Sequence, residues 1–166
     1  GYFELFLLDL CTGLRRGELL ALQWDDLDFK TGTLTVNKQV YEVKGKLQVS
    51  VPKTRASIRR LVLPSGVVEV LRQYREMVDS RWMFPSPVKE DMPMTPGAVR
   101  RRLQIILERA GCKRIRFHDL RHPYVKHTTK KFNSEKQKTQ ATKIVDLIAW
   151  VFCFCIVSYS KRSWTL

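Results

Sequence analysis

Three short clusters hold the side chains best suited to act on a phosphate. In the first, Cys11-Thr12-Gly13-Leu14-Arg15-Arg16-Gly17-Glu18, an arginine sits at a tight turn feeding a helix. A planar guanidinium and nearby backbone amides can then face one anion together. Glu18, one turn on, is equally placed to hold Arg15 in an ordinary ion pair. In the second, Val51-Pro52-Lys53-Thr54-Arg55, Lys53 is a mobile cation on a short arm between two β-runs. It is suited to give a proton to a leaving oxygen, and its alternative is a solvated turn lysine. In the third, Phe117-His118-Asp119-Leu120-Arg121-His122, the spacing puts His118 and Arg121 on one face of a helical turn. Imidazole and guanidinium there converge on the same non-bridging oxygens. An aromatic ahead of His-x-x-Arg-His in a basic chain favours a phosphate site over a structural histidine pair.

These clusters need elements to bring them together. Residues 2–11 are apolar on nearly every side, which predicts a buried helix stopped by Thr12-Gly13. A second helix is expected from Arg15 or Arg16, with Leu19, Leu20 and Leu22 leading into Trp24 and the acidic cluster Asp25, Asp26 and Asp28 ending it. The period then changes. Residues 33–41, 46–51 and 58–63 form alternating or β-branched runs, with Lys44-Gly45 in the first turn and Lys53 in the second. Short connections predict a three-stranded antiparallel meander with one apolar face. Ser65 is a candidate N-cap for a helix carrying Val67, Val68, Val70, Leu71, Tyr74, Met77 and Val78 on its inner side. Thr95-Pro96 starts another, with Val99, Leu103, Ile106, Leu107 and Ala110 at helical spacing and Gly111 at its end. The expected fold class is α+β, mainly helical, with helices packed around a small three-stranded sheet.

The 166 residues suit one domain with one core, and their formal charge of +14 is far from balanced. Residues 1–50 carry six basic and seven acidic side chains, whereas residues 51–166 carry 24 and nine. A positive field concentrated in this way points to a polyanion as partner, rather than a membrane or a small molecule. Cys11, Cys112, Cys153 and Cys155 have neither zinc-ligand spacing nor disulfide-scaffold density, so reduced thiols in the cytoplasm and no metal site are expected. The opening Gly1-Tyr2-Phe3 has no initiator Met and no signal peptide, as expected of a piece of a longer protein. Residues 144–157 are apolar apart from Asp146 but fall short of the roughly 20 residues a membrane span requires, which suggests a buried or partner-docking helix.

Taken in order, Thr12-Gly13-Leu14-Arg15 with Glu18-Leu19, then Leu22-x-Trp24-x-Asp26, then Lys53 at a β-turn, then His118-Asp119-Leu120-Arg121-His122, the chain resembles the tyrosine recombinases, the family of phage integrases and chromosome dimer-resolving recombinases. The resemblance runs from residue 1 to about 125. It implies that Arg15, His118 and Arg121 clamp a scissile phosphate and that Lys53 protonates the departing 5′ oxygen. His122 supports the second arginine or the phosphate, and Arg16 and Arg55 serve as further DNA contacts. The implied reaction is site-specific recombination of double-stranded DNA through a 3′-phosphotyrosyl intermediate, by a homotetramer on paired sites, without metal or nucleotide cofactor.

After His122 the pattern departs from the family. Pro123-Tyr124 and a Lys-rich stretch replace the expected small-residue helix, and Leu-Gly-His does not appear. Trp replaces the third histidine in some members, and Trp150 precedes Tyr159 by about the family's interval, which makes Tyr159 the candidate nucleophile ahead of Tyr124. The alternative is that residues 126–166 are a foreign or decayed tail on a DNA-binding remnant. A type IB topoisomerase, with the same catalytic constellation, is a further alternative.

Overall fold

The computed structural model describes residues 1–51 and 58–120. Helix α1, Tyr2–Thr12, buries Leu5, Phe6 and Leu8, and the hydroxyl of Thr12 donates to the Leu8 carbonyl at 2.6 Å. Gly13 ends the helix at φ 58° and ψ 33°, in the left-handed region where a side chain would be strained. Buried Leu14 then leads into α2, Arg16–Leu20, only five residues long. The expected run to Trp24 is therefore shorter, and the acidic cluster does not end α2. Asp25 and Asp26 belong to a separate 3-10 turn, Trp24–Asp26, where the Asp26 carboxylate accepts the Gln23 N–H at 2.8 Å, and Asp28 lies in the strand that follows. A short acidic side chain competing for backbone N–H groups starts a new turn in preference to continuing an old one.

Strands β1 (Leu27–Asp28), β2 (Thr33–Val36) and β5 (Arg59–Val62) form one antiparallel sheet in the order β1-β2-β5, with Leu34 opposite Leu61 and Thr35 opposite Arg60. Strands β3 (Gln39–Val43) and β4 (Lys46–Ser50) form a separate hairpin closed by Lys44 and Gly45, both at positive φ. This corrects the expected meander, because the run from residue 33 to 41 breaks at Asn37-Lys38 and β5 returns to β2, not to β4. Two contacts explain the break. The Lys38 ammonium is held by Asp26 at 2.8 Å and by Gln23 at 3.2 Å. Beyond it, β3 lies so close on α2 that a Cβ added to Gly17 would stand 2.5 Å from the Val40 carbonyl oxygen.

Helix α3, Ser65–Glu76, has Pro64 at its N-cap; Ser65 is the first helical residue and makes no cap bond. Val67, Val68, Leu71 and Tyr74 are buried, but Met77 follows the helix and is 64% exposed, so it is not an inward residue. Helix α4, Pro96–Arg109, starts as its sequence predicts: the Thr95 hydroxyl accepts the Ala98 N–H at 3.1 Å, and Pro96 occupies the first turn. Gly111, at φ 62°, follows its end. The core joins Leu5, Leu8, Leu19 and Leu20 to Leu34, Leu71, Phe84 and Val99. The Tyr74 ring packs 5.8 Å from Trp24 and 6.3 Å from Phe84. A 3-10 turn, Phe117–Leu120, is anchored by buried Phe117, whose ring lies 6.2 Å from that of Phe6 on α1. Among the described residues no helix is long and apolar enough to cross a membrane, and Cys11 and Cys112 are free thiols.

Candidate functional site

The start of α2, one side of α4 and the segment from Arg114 to Asp119 enclose a cleft of about 1070 Å³. Arg15 and Arg16 reach it from the α2 turn, Arg100, Arg101 and Gln104 from α4, and Arg114, Arg116 and His118 from the segment running into the last 3-10 turn. Among the described lining residues Asp119 is the one carboxylate. Helix α2 is too short for its dipole to contribute much, so the attraction of the cleft for an anion rests on the guanidiniums.

The arginines differ in how they are held. Arg15 extends into the α2 turn as its N-cap, at φ −68° and ψ 142°, and its backbone N–H donates to Glu18 Oε2 at 2.8 Å. Its Nη1 donates to Glu18 Oε1 at 2.9 Å. Glu18, buried, also receives both terminal nitrogens of Arg59 from β5, at 3.1 and 2.6 Å. Burial pushes the Glu18 carboxyl up, but the Arg59 bonds, then the backbone and side-chain bonds of Arg15, outweigh it and hold the group at about 2. Arg116 pairs with Asp119, its backbone N–H at 2.9 Å and its Nη2 at 3.3 Å. Gln104 orients Arg114 by accepting its Nε–H at 3.2 Å while donating to the Ile115 carbonyl at 2.8 Å. Burial, then repulsion from Arg100, pushes the Arg16 guanidinium below its ordinary value. Among the described residues no carboxylate forms an ion pair with Arg16, Arg100, Arg101 or Arg114. Uncompensated like charges on one concave wall lower their mutual repulsion when a polyanion enters.

Of the residues singled out in the sequence, Arg15, Arg16 and His118 share this cleft. Lys53, Arg55, Arg121, His122, Tyr124, Trp150 and Tyr159 lie outside the described residues, as does the apolar run 144–157. Arg59, Arg100, Arg101, Gln104, Arg114 and Arg116 were not singled out. For the α4 residues a signal existed: positions 97, 100, 101 and 104 recur at i, i+3, i+4 and i+7 and so share one flank of the helix, beside the buried row of Val99, Leu103 and Leu107. The neighbouring Arg102 stacks instead over the Tyr2 ring at 5.2 Å. Tyr74, whose hydroxyl is pushed up to about 12 by burial and then by Glu4, is a core aromatic.

A mixed α+β domain that gathers arginines from a helix start, a second helix and a histidine-bearing turn around one cleft defines a class of anion-binding fold. The chain belongs to the phage integrase family, whose sequence profile matches residues 3–132. It is 32% identical over 142 residues to a XerC-like tyrosine recombinase of Caldanaerobacter subterraneus subsp. tengcongensis, covering 72% of this chain and 36% of that protein. It is 30% identical over 123 residues to the ICEBs1 integrase of Bacillus subtilis, covering 69% of this chain and 33% of that one. The chain thus spans about a third of the length of these relatives. Its fold is that of the Tn1549 transposon integrase, solved in complex with a circular intermediate DNA, with a TM-score of 0.61 at 21% identity over 77% of this chain and 47% of that one.

Proposed function

We propose that the chain is the catalytic domain of a site-specific DNA recombinase, family-like over residues 1–125 with a divergent tail over 126–166, acting on double-stranded DNA in the cytoplasm. The observation that carries this reading is that Arg15 and His118, from opposite ends of the described chain, line one cleft with arginines that form no ion pair among the described residues. In the proposed reaction Arg15, His118 and Arg121 neutralise the non-bridging oxygens of the scissile phosphate as negative charge builds in the pentacoordinate transition state. The Tyr159 hydroxyl releases its proton to solvent as its oxygen bonds to phosphorus, the bond to the 5′ oxygen breaks, and Lys53 gives that oxygen a proton. Trp150 takes the role of the family's third histidine at the phosphate, and His122 supports Arg121 or the phosphate. The phosphotyrosyl link conserves the bond energy, so a 5′ hydroxyl of another strand reverses the step and no cofactor enters the balance.

Arg16, Arg55, Arg100, Arg101 and Arg114 then hold flanking backbone phosphates, because the cleft is far larger than one phosphodiester. The assembly is a homotetramer on two paired sites, with the apolar run 144–157 docking on a neighbouring subunit. The matched relatives are named as a recombinase and an integrase, which disfavours a type IB topoisomerase.

One observation supports a second reading. The family match ends at residue 132, and both Trp150 and Tyr159 lie beyond it. A domain that binds DNA without cutting it has the same cleft and no nucleophile. A nicked suicide duplex separates the two: a covalent protein–DNA adduct that disappears in Tyr159→Phe supports the recombinase, and an absence of adduct on any tested recombination site supports the remnant.

A further inference from the structure

Glu18 sits between two guanidiniums drawn from distant parts of the chain. Its Oε1 receives Arg15 Nη1 at 2.9 Å and Arg59 Nη1 at 3.1 Å, and its Oε2 receives the Arg15 backbone N–H at 2.8 Å and Arg59 Nη2 at 2.6 Å. Arg59 therefore makes the two-pronged pair and Arg15 the single-pronged one. The Arg15 side chain keeps 67% of its surface open, against 9% for Glu18. Arg59 is absent from the cleft lining. It begins β5, the strand entered directly after the segment that contains Lys53, and its pair with Glu18 ties that strand to the turn carrying Arg15.

The charge balance decides what this does. One carboxylate alone with Arg15 makes a neutral pair, and an entering phosphate must compete with Glu18 for the guanidinium. One carboxylate between two guanidiniums leaves a net positive charge, and the fork geometry commits Glu18 mainly to Arg59. We propose that Arg59 is a positioning residue for Arg15: by occupying Glu18 it keeps the Arg15 guanidinium held in place yet cationic towards an anion in the cleft. This rests on the reading above that the cleft receives a DNA phosphate.

The test uses the whole 166-residue chain and a short fluorescent duplex at fixed salt, with equilibrium binding as the readout and a thermal melt to certify folding. Arg59→Gln is expected to weaken binding about fivefold through loss of one charge acting across a partly solvated site. Arg60→Gln, which removes an exposed neighbouring charge from β5, is expected to change it less than twofold and calibrates generic basicity. Arg59→Lys restores the charge without the fork and is expected to recover most of the loss. The distinguishing variant is Glu18→Gln with Arg59→Gln together. If Arg59 acts only by occupying Glu18, neutralising both returns Arg15 its charge, and the double variant binds more tightly than Arg59→Gln alone. A double variant as weak as the single one, or an Arg59→Gln chain that binds like wild type while Arg15→Ala is weakened, overturns the proposal. If Arg15→Ala itself weakens binding no more than Arg60→Gln does, the cleft is not the DNA site, and the reading beneath the proposal fails with it.

Discussion

Three glycines occupy the same place in their helices, and that coincidence allows a steric term to be separated from a local one. Gly17, Gly66 and Gly97 are each the second residue of α2, α3 and α4. Replacement by Ala gains the same intrinsic helix preference in each, at most about 1 kcal/mol and less in a first turn. Their surroundings differ. A Cβ at Gly66 or Gly97 meets nothing within 4 Å, whereas one at Gly17 stands 2.5 Å from the Val40 carbonyl oxygen, about 0.9 Å inside the 3.4 Å at which ordinary contact begins. The obstacle is backbone of β3, which must move as a strand because Val40 is paired with Val49 across the hairpin. Overpacking of that kind costs about 1–3 kcal/mol. Gly17→Ala should therefore lose about 1–2 kcal/mol net and lower the melting temperature by about 3–8 °C, while Gly66→Ala should leave it unchanged or raise it by a degree or two. Thermal and urea melts followed by circular dichroism measure both. Equal shifts for Gly17→Ala and Gly66→Ala would mean that β3 does not lie on α2 as described, and the placement of the Arg15 turn would lose its support.

Glu18 should make the fold sensitive to acid. Its carboxyl is held at about 2, below an ordinary 4.5, so its contribution is complete above about 4.5 and is lost as pH falls towards 2. Urea midpoints between pH 6 and 2.5 should fall less steeply for Glu18→Gln than for wild type, by roughly 2 kcal/mol after allowance for screening at the exposed Arg15; identical slopes would contradict the shared carboxylate. In the cleft, Arg114→Ala should reduce the slope of log affinity for duplex DNA against log salt by about one, since one phosphate contact disappears. Gln104→Ala should weaken binding without changing that slope, because it loosens Arg114 but removes no charge; a changed slope would show that Gln104 is not acting through orientation. Phe117→Ala should cost about 3–4 kcal/mol from the lost ring. It should also weaken duplex binding more than Leu71→Ala at matched residual stability, since only Phe117 anchors the turn that carries His118.

Several features were legible from local chemistry alone. Gly13 as the stop of α1, Thr95-Pro96 as the start of α4 and Gly111 as its end follow from backbone preferences that no distant contact needed to change. Arg15 stood out because it sits at a tight turn feeding a helix and His118 because His-x-x-Arg-His follows an aromatic in a basic chain, and the family order of motifs carried the class of fold. The sheet was not legible in the same way. Residues 33–41 alternate like one strand, yet they divide at Asn37-Lys38 because Asp26 and Gln23 capture the Lys38 ammonium and Gly17 lets β3 settle on α2, contacts invisible to a periodicity. The same limit applies to the cleft. Position along the chain determined which residues can carry charge, but only packing decided that Arg100, Arg101 and Arg114 join Arg15, and that Arg59 reaches Glu18 from β5. Electrostatic partnership depends on distance in space, and the folded core, not the order of residues, sets that distance.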